Sequence, residues 1–511
     1  MNGAKMTKHP SVSAWENGEA APASGPENLT VSIAGRCNLS CFMCGHSIVK
    51  ELPVKIDVQK LEPFLKDASN LVITGGEPLW IKGDVNRQTG EILETVEDKF
   101  PALRLSAFTN GVYLPDSLAE RVIKQFHLLS FSIDSLDPAV YEKIRGKDLL
   151  PQVLMNLENL LDLKRKNNLG INDEPLLHVN AILAKSTADG LPALAEYLSK
   201  RDVQCLNLVE LRNVLSDDYR ELLEGGTHAS VTNRRKKAAD MESAIAYEIV
   251  TPDELGEERI NRITGDLLKI YQNTDLVIFD RTGVFGKKDN PVKTANNGNR
   301  TCPLPWINAE IHSNGNVYVC CANGIILGNV NENGFDEIWN GEKAVSLREA
   351  FLAGEMAGCV ERGCSATIDY FSNPEAHSRK LLDNLKKLFK GGNPASILFL
   401  RTAPPYQSRL TLKSLTIAFP ESKIKLVTNR DGETVCRSWG IGEVLVYPEK
   451  RFEPSAFAEW QKGNLTEKIG LVAAPCANNS PGAYENIEQI LKNIEADMKL
   501  MIMPGGEFSL I

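Results

Sequence analysis

Cys37-Asn38-Leu39-Ser40-Cys41-Phe42-Met43-Cys44 is the stretch from which the rest of the chain can be read. It follows an apolar run at residues 29–33 that predicts a strand, so the three cysteines sit in the loop at the end of that strand. A structural zinc site takes four protein ligands, and three cysteines alone suit it poorly. Three thiolates do suit three irons of a [4Fe–4S] cluster, leaving the fourth iron open to a chelating molecule such as S-adenosylmethionine (SAM).

Downstream, residues 70–74, 104–109, 128–133, 176–182 and 205–209 predict five more strands. Residues 61–68 look helical, and residues 151–166 carry Val153, Leu157, Leu160 and Leu161 at helical spacing. Strands separated by helices imply parallel β/α units with right-handed crossovers. The expectation for residues 28–212 is therefore an α/β fold, a partial (β/α)6 TIM-like barrel. Chemistry in such barrels gathers at the C-terminal strand ends. Thr74-Gly75-Gly76-Glu77-Pro78 closes the second strand, Thr109-Asn110-Gly111 the third and Ser132-Ile133-Asp134 the fourth; Asn180 lies on the fifth. His178, Glu210 and Arg212, near the last two strands, are read as structural, with substrate contact as the alternative.

Length and composition bound the remainder. The 511 residues suffice for about three units. Hydrophobic residues make up 42% and charged residues 24%, ordinary for a globular protein. A net charge of −9 excludes a global basic field for nucleic acid, and Arg234-Arg235-Lys236-Lys237 reads as a solvated face. Neither a secretory signal nor an apolar run of membrane-spanning length is found, which makes the cytoplasm the expected location. Residues 1–27 read as a disordered lead-in. Residues 213–300 read as a helical and loop insertion, 301–366 as a small cysteine-rich domain, 367–394 as a helical connector and 395–511 as a Rossmann-like α/β domain. The eleven cysteines are clustered, which in a reducing compartment points to metal rather than disulfides. Cys205, Cys436 and Cys476 stand apart and read as buried apolar residues.

The spacing of Cys37, Cys41 and Cys44 resembles the signature of the radical SAM superfamily. Gly75-Gly76-Glu77-Pro78 resembles that family's motif for the SAM amino group, Thr109-Asn110-Gly111 its third-strand segment, and Ser132 with Lys143-Ile144-Arg145-Gly146 its fourth-strand pattern. The resemblance implies a [4Fe–4S] cluster on the three cysteines and SAM held by Gly75, Gly76, Glu77, Asn110, Ser132, Arg145 and Asn180. Ser132 and Arg145 are expected at the SAM ribose and carboxylate, where a planar guanidinium fork fits; an ion pair is the alternative for Arg145. Met43 stands where relatives often place an aromatic residue against adenine, and a thioether can pack there too.

A second group begins at Cys302 and continues through Asn314-Gly315-Asn316-Val317-Tyr318-Val319-Cys320-Cys321 to Cys359 and Cys364. Its spacing, with Glu337-Ile338-Trp339-Asn340 and Leu347-Arg348, resembles a SPASM domain in its shortened, Twitch-like form. The resemblance implies a second, fully ligated [4Fe–4S] cluster on Cys302, Cys320, Cys359 and Cys364, with Cys321 able to exchange with Cys320. The alternative is a zinc site on the same four thiolates. Residues 397–401 and 419–424 weakly resemble one half of a heptosyltransferase-like glycosyltransferase, without a Gly-rich phosphate loop, so no transferase activity is expected.

The expected activity is reductive cleavage of SAM and hydrogen abstraction by a 5′-deoxyadenosyl radical, oxidising or epimerising a sugar, cyclitol or glycan precursor. Peptide maturation is the alternative, and a non-catalytic iron–sulfur scaffold a third reading. A low-potential donor such as flavodoxin or ferredoxin is the expected protein partner, with neither nucleic acid nor a membrane span.

Overall fold

Alternating burial builds the first sheet. In β5 (Leu176–Leu183) Leu177, Val179, Ala181 and Leu183 are buried, while Leu176, His178, Asn180 and Ile182 are half-exposed. Parallel strands with helices on both faces read as continuous apolar runs, so this alternation means that only one face is covered. The sheet order gives the reason. β1 (Asn28–Ala34), β2 (Asn70–Gly75), β3 (Arg104–Thr109), β4 (Phe126–Ser132), β5 and β6 (Cys205–Glu210) lie side by side in chain order, all parallel. Right-handed crossovers between sequential strands deliver every helix to the same face. Helices Arg87–Lys99, Asp116–Gln125, Leu150–Lys166 and Leu191–Ser199 are these crossovers, and they pack over Leu29, Val31, Leu71, Ile73, Leu105, Leu129, Leu177, Val179, Leu206 and Leu208. Each such side chain contributes about 1.5–3 kcal/mol on burial. The result is the α/β, TIM-like partial barrel expected, with a helix-free face left for chemistry.

The structure, a computed structural model, describes residues 9–50, 52–211, 228–250, 252–280, 282, 284–285, 302–320, 323–353, 374–389, 392–403, 405–440, 442–476, 484–503 and 507–511. The chain divides into two compact units, Met1–Thr264 with Ile278–Cys364 and Gly265–Val277 with Ser365–Ile511. Among the described residues no helix is long and apolar enough to cross a membrane.

Three of the expected boundaries need correction. The second cysteine region extends the first sheet: β8 (Asn308–Ile311) pairs in parallel with β1 and carries β9 (Asn316–Tyr318) and β10 (Gly328–Asn329), while β7 (Val277–Asp280) closes the other edge. The insertion at 213–300 is not one piece, since Gly265–Val277 clusters with the second unit. The connector at 367–394 contains helix Pro374–Phe389, whose Leu381 and Leu385 lie in the second unit's core. Finally, residues 9–27 are not disordered. They form helix Pro10–Asn17 and a strap that accepts hydrogen bonds from three buried residues and one half-buried one: Trp306 Nε1 to Glu19 O (2.6 Å), Trp339 Nε1 to Ser24 O (2.9 Å), Arg348 Nη1 to Ala20 O (3.1 Å) and the half-buried Asn340 Nδ2 to Pro22 O (3.2 Å).

In the second unit β11 (Ser396–Leu400), β12 (Lys423–Asn429), β13 (Glu443–Tyr447), β14 (Ile469–Pro475) and β15 (Ala496–Ile502) are parallel and β16 (Phe508–Leu510) antiparallel, in the order β13-β12-β11-β14-β15-β16. Here the central strand reads Ile-Leu-Phe-Leu, all buried, because one core cluster lies on each face. That is a doubly wound, Rossmann-like arrangement.

The strap yields a prediction. Removing residues 1–25 leaves the indole donors of Trp306 and Trp339 buried without acceptors, at about 1–3 kcal/mol each, and takes one of its three carbonyl acceptors from Arg348. Urea unfolding of the truncated chain should lose at least about 2 kcal/mol; an unchanged midpoint would mean that the strap only decorates the surface.

Candidate functional site

The loop after β1 carries Cys37, Cys41 and Cys44, all half-exposed. It is pressed onto the ends of β1 and β2. A Cβ on Gly76 would stand 2.4 Å from Arg36 O and 3.0 Å from the buried ring of His46, so only glycine permits this approach. Asn86 clamps the same place: its Oδ1 accepts from Arg36 N (3.0 Å), and its Nδ2 donates to Arg36 O (3.1 Å) and Glu77 O (2.8 Å). From the other side, the end of helix Pro138–Arg145 grips the loop through Ser40 N to Arg145 O (3.3 Å) and Phe42 N to Ile144 O (3.1 Å). Gly146, at φ +76°, leaves no room for a side chain against Ser40 O.

Three N–H donors face two of the thiols. Leu39 N lies 3.5 Å and Asn110 Nδ2 3.8 Å from Cys37 Sγ, and Arg145 Nη1 lies 3.8 Å from Cys41 Sγ. Burial pushes the Cys37 thiol up to about 12 and raises that of Cys41 as well. Bare thiolates are therefore disfavoured here, and iron is the kind of positive partner that lets them form. Among the described residues no three His, Cys, Asp or Glu side chains converge as on a single metal ion. A [4Fe–4S] cluster takes each thiolate on a separate iron, so the donor set and its N–H···S contacts fit a cluster better than one zinc.

Glu77 is fully buried. Its Oε1 accepts from Thr109 Oγ1 (2.7 Å) and Leu79 N (3.1 Å), and its Oε2 from Asn110 N (2.6 Å). This carboxylate ties the end of β2 to that of β3, so both oxygens that the resemblance implied for SAM are engaged by protein donors. Arg145 also departs from expectation. Its fork is taken by Asp134, with Nε to Oδ2 at 2.6 Å and Nη2 to Oδ1 at 3.0 Å, so it is not poised for a bidentate grip on a SAM carboxylate. Burial lowers the Arg145 pKa, but Asp134 and then Cys41 outweigh it and hold the guanidinium charged. The buried ion pair leaves one edge of Arg145 for Cys41.

Ser132 and Asn180 lie side by side on the helix-free face, and Asn180 Oδ1 accepts from Asn207 Nδ2 (2.9 Å). In register with the rows below are Phe108, Ser130, His178 and Cys205, with Ser106 further down β3. Phe108 is 45% exposed, although phenylalanine is mostly buried. Phe42 and Met43 pack against Ala238, Met241 and Ile245 of helix His228–Glu248, which covers this side of the loop. The end of that helix is fixed by Glu248, which accepts from Lys143 Nζ (2.5 Å) and from Ser186 N (3.0 Å) and Oγ (2.8 Å).

Sequence reading missed Asn86 and Asn207, and it placed Asp134 at the end of the fourth strand without giving it a role. Asn86 adopts a left-handed backbone at φ 49° just before a helix, a conformation asparagine tolerates. Cys302 and Cys320 are half-exposed, and no disulfide joins the described cysteines. Cys321, Cys359, Cys364 and Arg212 lie outside the described residues.

Residues 31–178 match the radical SAM superfamily, and residues 302–365 match SPASM, an iron–sulfur cluster-binding domain. These domains imply SAM, a [4Fe–4S] cluster and further iron–sulfur binding. The chain is similar to a GTP 3′,8-cyclase of Sulfurovum sp. (31% identical over 169 residues, 30% of this chain and 49% of that one). It is also similar to a probable GTP 3′,8-cyclase of Pyrococcus abyssi (32% over 174 residues, 30% and 55%). It thus spans about half the length of these curated relatives. Among solved structures, Streptococcus suis SuiB bound to SAM is similar at 14% identity, covering 64% of this chain and 68% of that one, with a TM-score of 0.42.

The burial of Glu77 has a pH consequence. Desolvation raises its carboxyl from 4.5 to about 7, against the donors of Asn110 and Thr109. The folded state then holds the proton more tightly than the unfolded chain. This contribution is complete below pH 4.5 and lost as pH rises through 7, roughly 3 kcal/mol at 1.36 kcal/mol per unit. Urea unfolding of the cluster-free chain across this window should show that slope, and Glu77→Gln should lack it. Parallel slopes in the two proteins would mean that Glu77 titrates normally.

Proposed function

We propose that this radical SAM enzyme with a SPASM domain abstracts hydrogen from a small, hydroxylated substrate, a sugar, cyclitol or glycan precursor, bound on the helix-free face of its barrel. When bound, the [4Fe–4S] cluster supplies the electron that cleaves SAM and yields the 5′-deoxyadenosyl radical. Cys37, Cys41 and Cys44 hold that cluster, and Asn110 and Arg145 donate toward their sulfurs. Gly75 and Gly76 bring backbone close to the SAM amino group, and Ser132 and Asn180 face the nucleoside. Glu77 acts through Thr109 and Asn110, keeping the strand ends in register, and Asp134 orients Arg145.

The observation that carries the substrate class is the composition of the helix-free face. On β3 to β6 its rows hold Ser106, Ser132, His178, Asn180 and the buried Ser130 and Asn207, together with Leu128, Leu176 and Cys205, around the exposed ring of Phe108, with neither lysine nor arginine in these rows. Neutral donors and acceptors beside an aromatic face suit hydroxyl groups on a ring. A nucleoside triphosphate, the substrate named for the cyclase relatives, asks for a cluster of cations. Helix His228–Glu248 keeps water from the cysteine loop, and a low-potential donor such as flavodoxin or ferredoxin delivers the electron.

Two measurements test this. Anaerobic reconstitution should give about eight irons per chain, falling to about four in Cys37→Ala/Cys41→Ala/Cys44→Ala. About four irons falling to none, with zinc retained, would make the second cysteine group structural. Ring-deuterated sugars and cyclitols should pass deuterium into 5′-deoxyadenosine, and Asn207→Leu should lower kcat/KM about 10–100-fold, as for a lost buried hydrogen bond. Deuterium arriving only from a peptide or from GTP would replace the substrate class.

A further inference from the structure

Three side chains on the helix-free face form a hydrogen-bonded line. Cys205 Sγ donates to Asn207 Oδ1 (3.4 Å), and Asn207 Nδ2 donates to Asn180 Oδ1 (2.9 Å). Cys205 and Asn207 stand two residues apart on β6 and so share a face, and Asn207 is the register partner of Asn180 on β5. Cys205 is 1% exposed and Asn207 6%, whereas Asn180 is half-exposed beside Ser132. The line runs from a buried thiol to an amide that a ligand can reach.

Each link fixes the next. A side-chain amide has a donor end and an acceptor end of nearly the same shape, and its neighbours decide which end points where. The thiol hydrogen of Cys205 takes the Asn207 oxygen. That leaves the Asn207 NH2 for Asn180, whose oxygen turns to receive it. The NH2 of Asn180 is the end left over, and among the described residues nothing accepts from it. Burial of the first two members strengthens both bonds, because the surrounding dielectric is low. An apolar residue at position 205 would fill the same space without choosing between the two orientations of Asn207.

We propose that Cys205 and Asn207 are positioning residues that present Asn180 to the SAM nucleoside as a donor, so that its NH2 meets a ribose oxygen or a ring nitrogen. This rests on the reading that Ser132 and Asn180 face the nucleoside.

The test is the SAM affinity of the cluster-loaded full-length chain, read from the change that added SAM makes in the electron paramagnetic resonance signal of the reduced cluster. Cys205→Ser keeps a donor and Cys205→Ala removes it. The two leave nearly the same gap, so their difference isolates the hydrogen bond. The dissociation constant should rise about tenfold in Cys205→Ala, as for one lost hydrogen bond, and stay within about twofold of wild type in Cys205→Ser. Asn180→Asp keeps the acceptor for Asn207 but replaces the NH2 with oxygen, so it should lose about as much as Cys205→Ala. A carboxylate has two equal ends, and its orientation no longer matters. Adding Cys205→Ala to Asn180→Asp should therefore lower the affinity no further. An affinity that alanine leaves unchanged, that falls alike with serine and alanine, or that falls again in the double variant overturns the relay. An affinity unchanged in Asn180→Asp overturns the reading beneath it, that Asn180 meets the nucleoside.

Discussion

The carboxylate of Glu77 is the fixed point of the first unit. With no exposure and three donors on its two oxygens, it locks the end of β2 to the turn after β3. Asn110, held at its backbone by Glu77, turns its amide toward Asn38 and Cys37. Asn86 joins the carbonyl of Glu77 to Arg36, the residue before the first cysteine. The geometry of the loop that carries the three thiols is thus tied to one buried acid. An unsatisfied carboxylate in this place would be far more destabilising than any of these bonds is stabilising, so the network acts as a unit.

The second constraint is topological. Six parallel strands in sequential order send their crossovers to one face, and that leaves the other face without helices. The apolar side chains concentrate on the covered face and the serines, asparagines and His178 on the open one. The second unit solves the same problem oppositely. Its strand order reverses at β11 and β14, both faces are covered, and its central strand is apolar throughout.

Two buried guanidiniums of the first unit are balanced differently. Beside Cys41 the positive charge of Arg145 is cancelled by Asp134, so the pair offers a directed N–H without a net field. In the second region Arg348 is surrounded by carbonyls and an indole, and its field is not cancelled by any described carboxylate. Equal residue types therefore do unequal electrostatic work.

The cysteine triad, the strand order of the barrel and the restart of an α/β pattern after residue 395 were legible in the sequence, because each rests on local spacing or periodicity. The roles of Glu77 and Arg145 were not. Their partners, Thr109 with Asn110 and Asp134, are brought to them by packing, and a carboxylate or guanidinium looks the same in a sequence whether it meets a ligand or a neighbour. The order of residues 9–27 was hidden for a related reason: Trp306, Trp339 and Arg348 bond to backbone carbonyls, which every residue carries and no composition reveals. What the sequence determined alone was which thiols share a loop and which strands are parallel. What only the tertiary structure decided was where each buried charge finds its partner, since that depends on distances between segments tens to hundreds of residues apart.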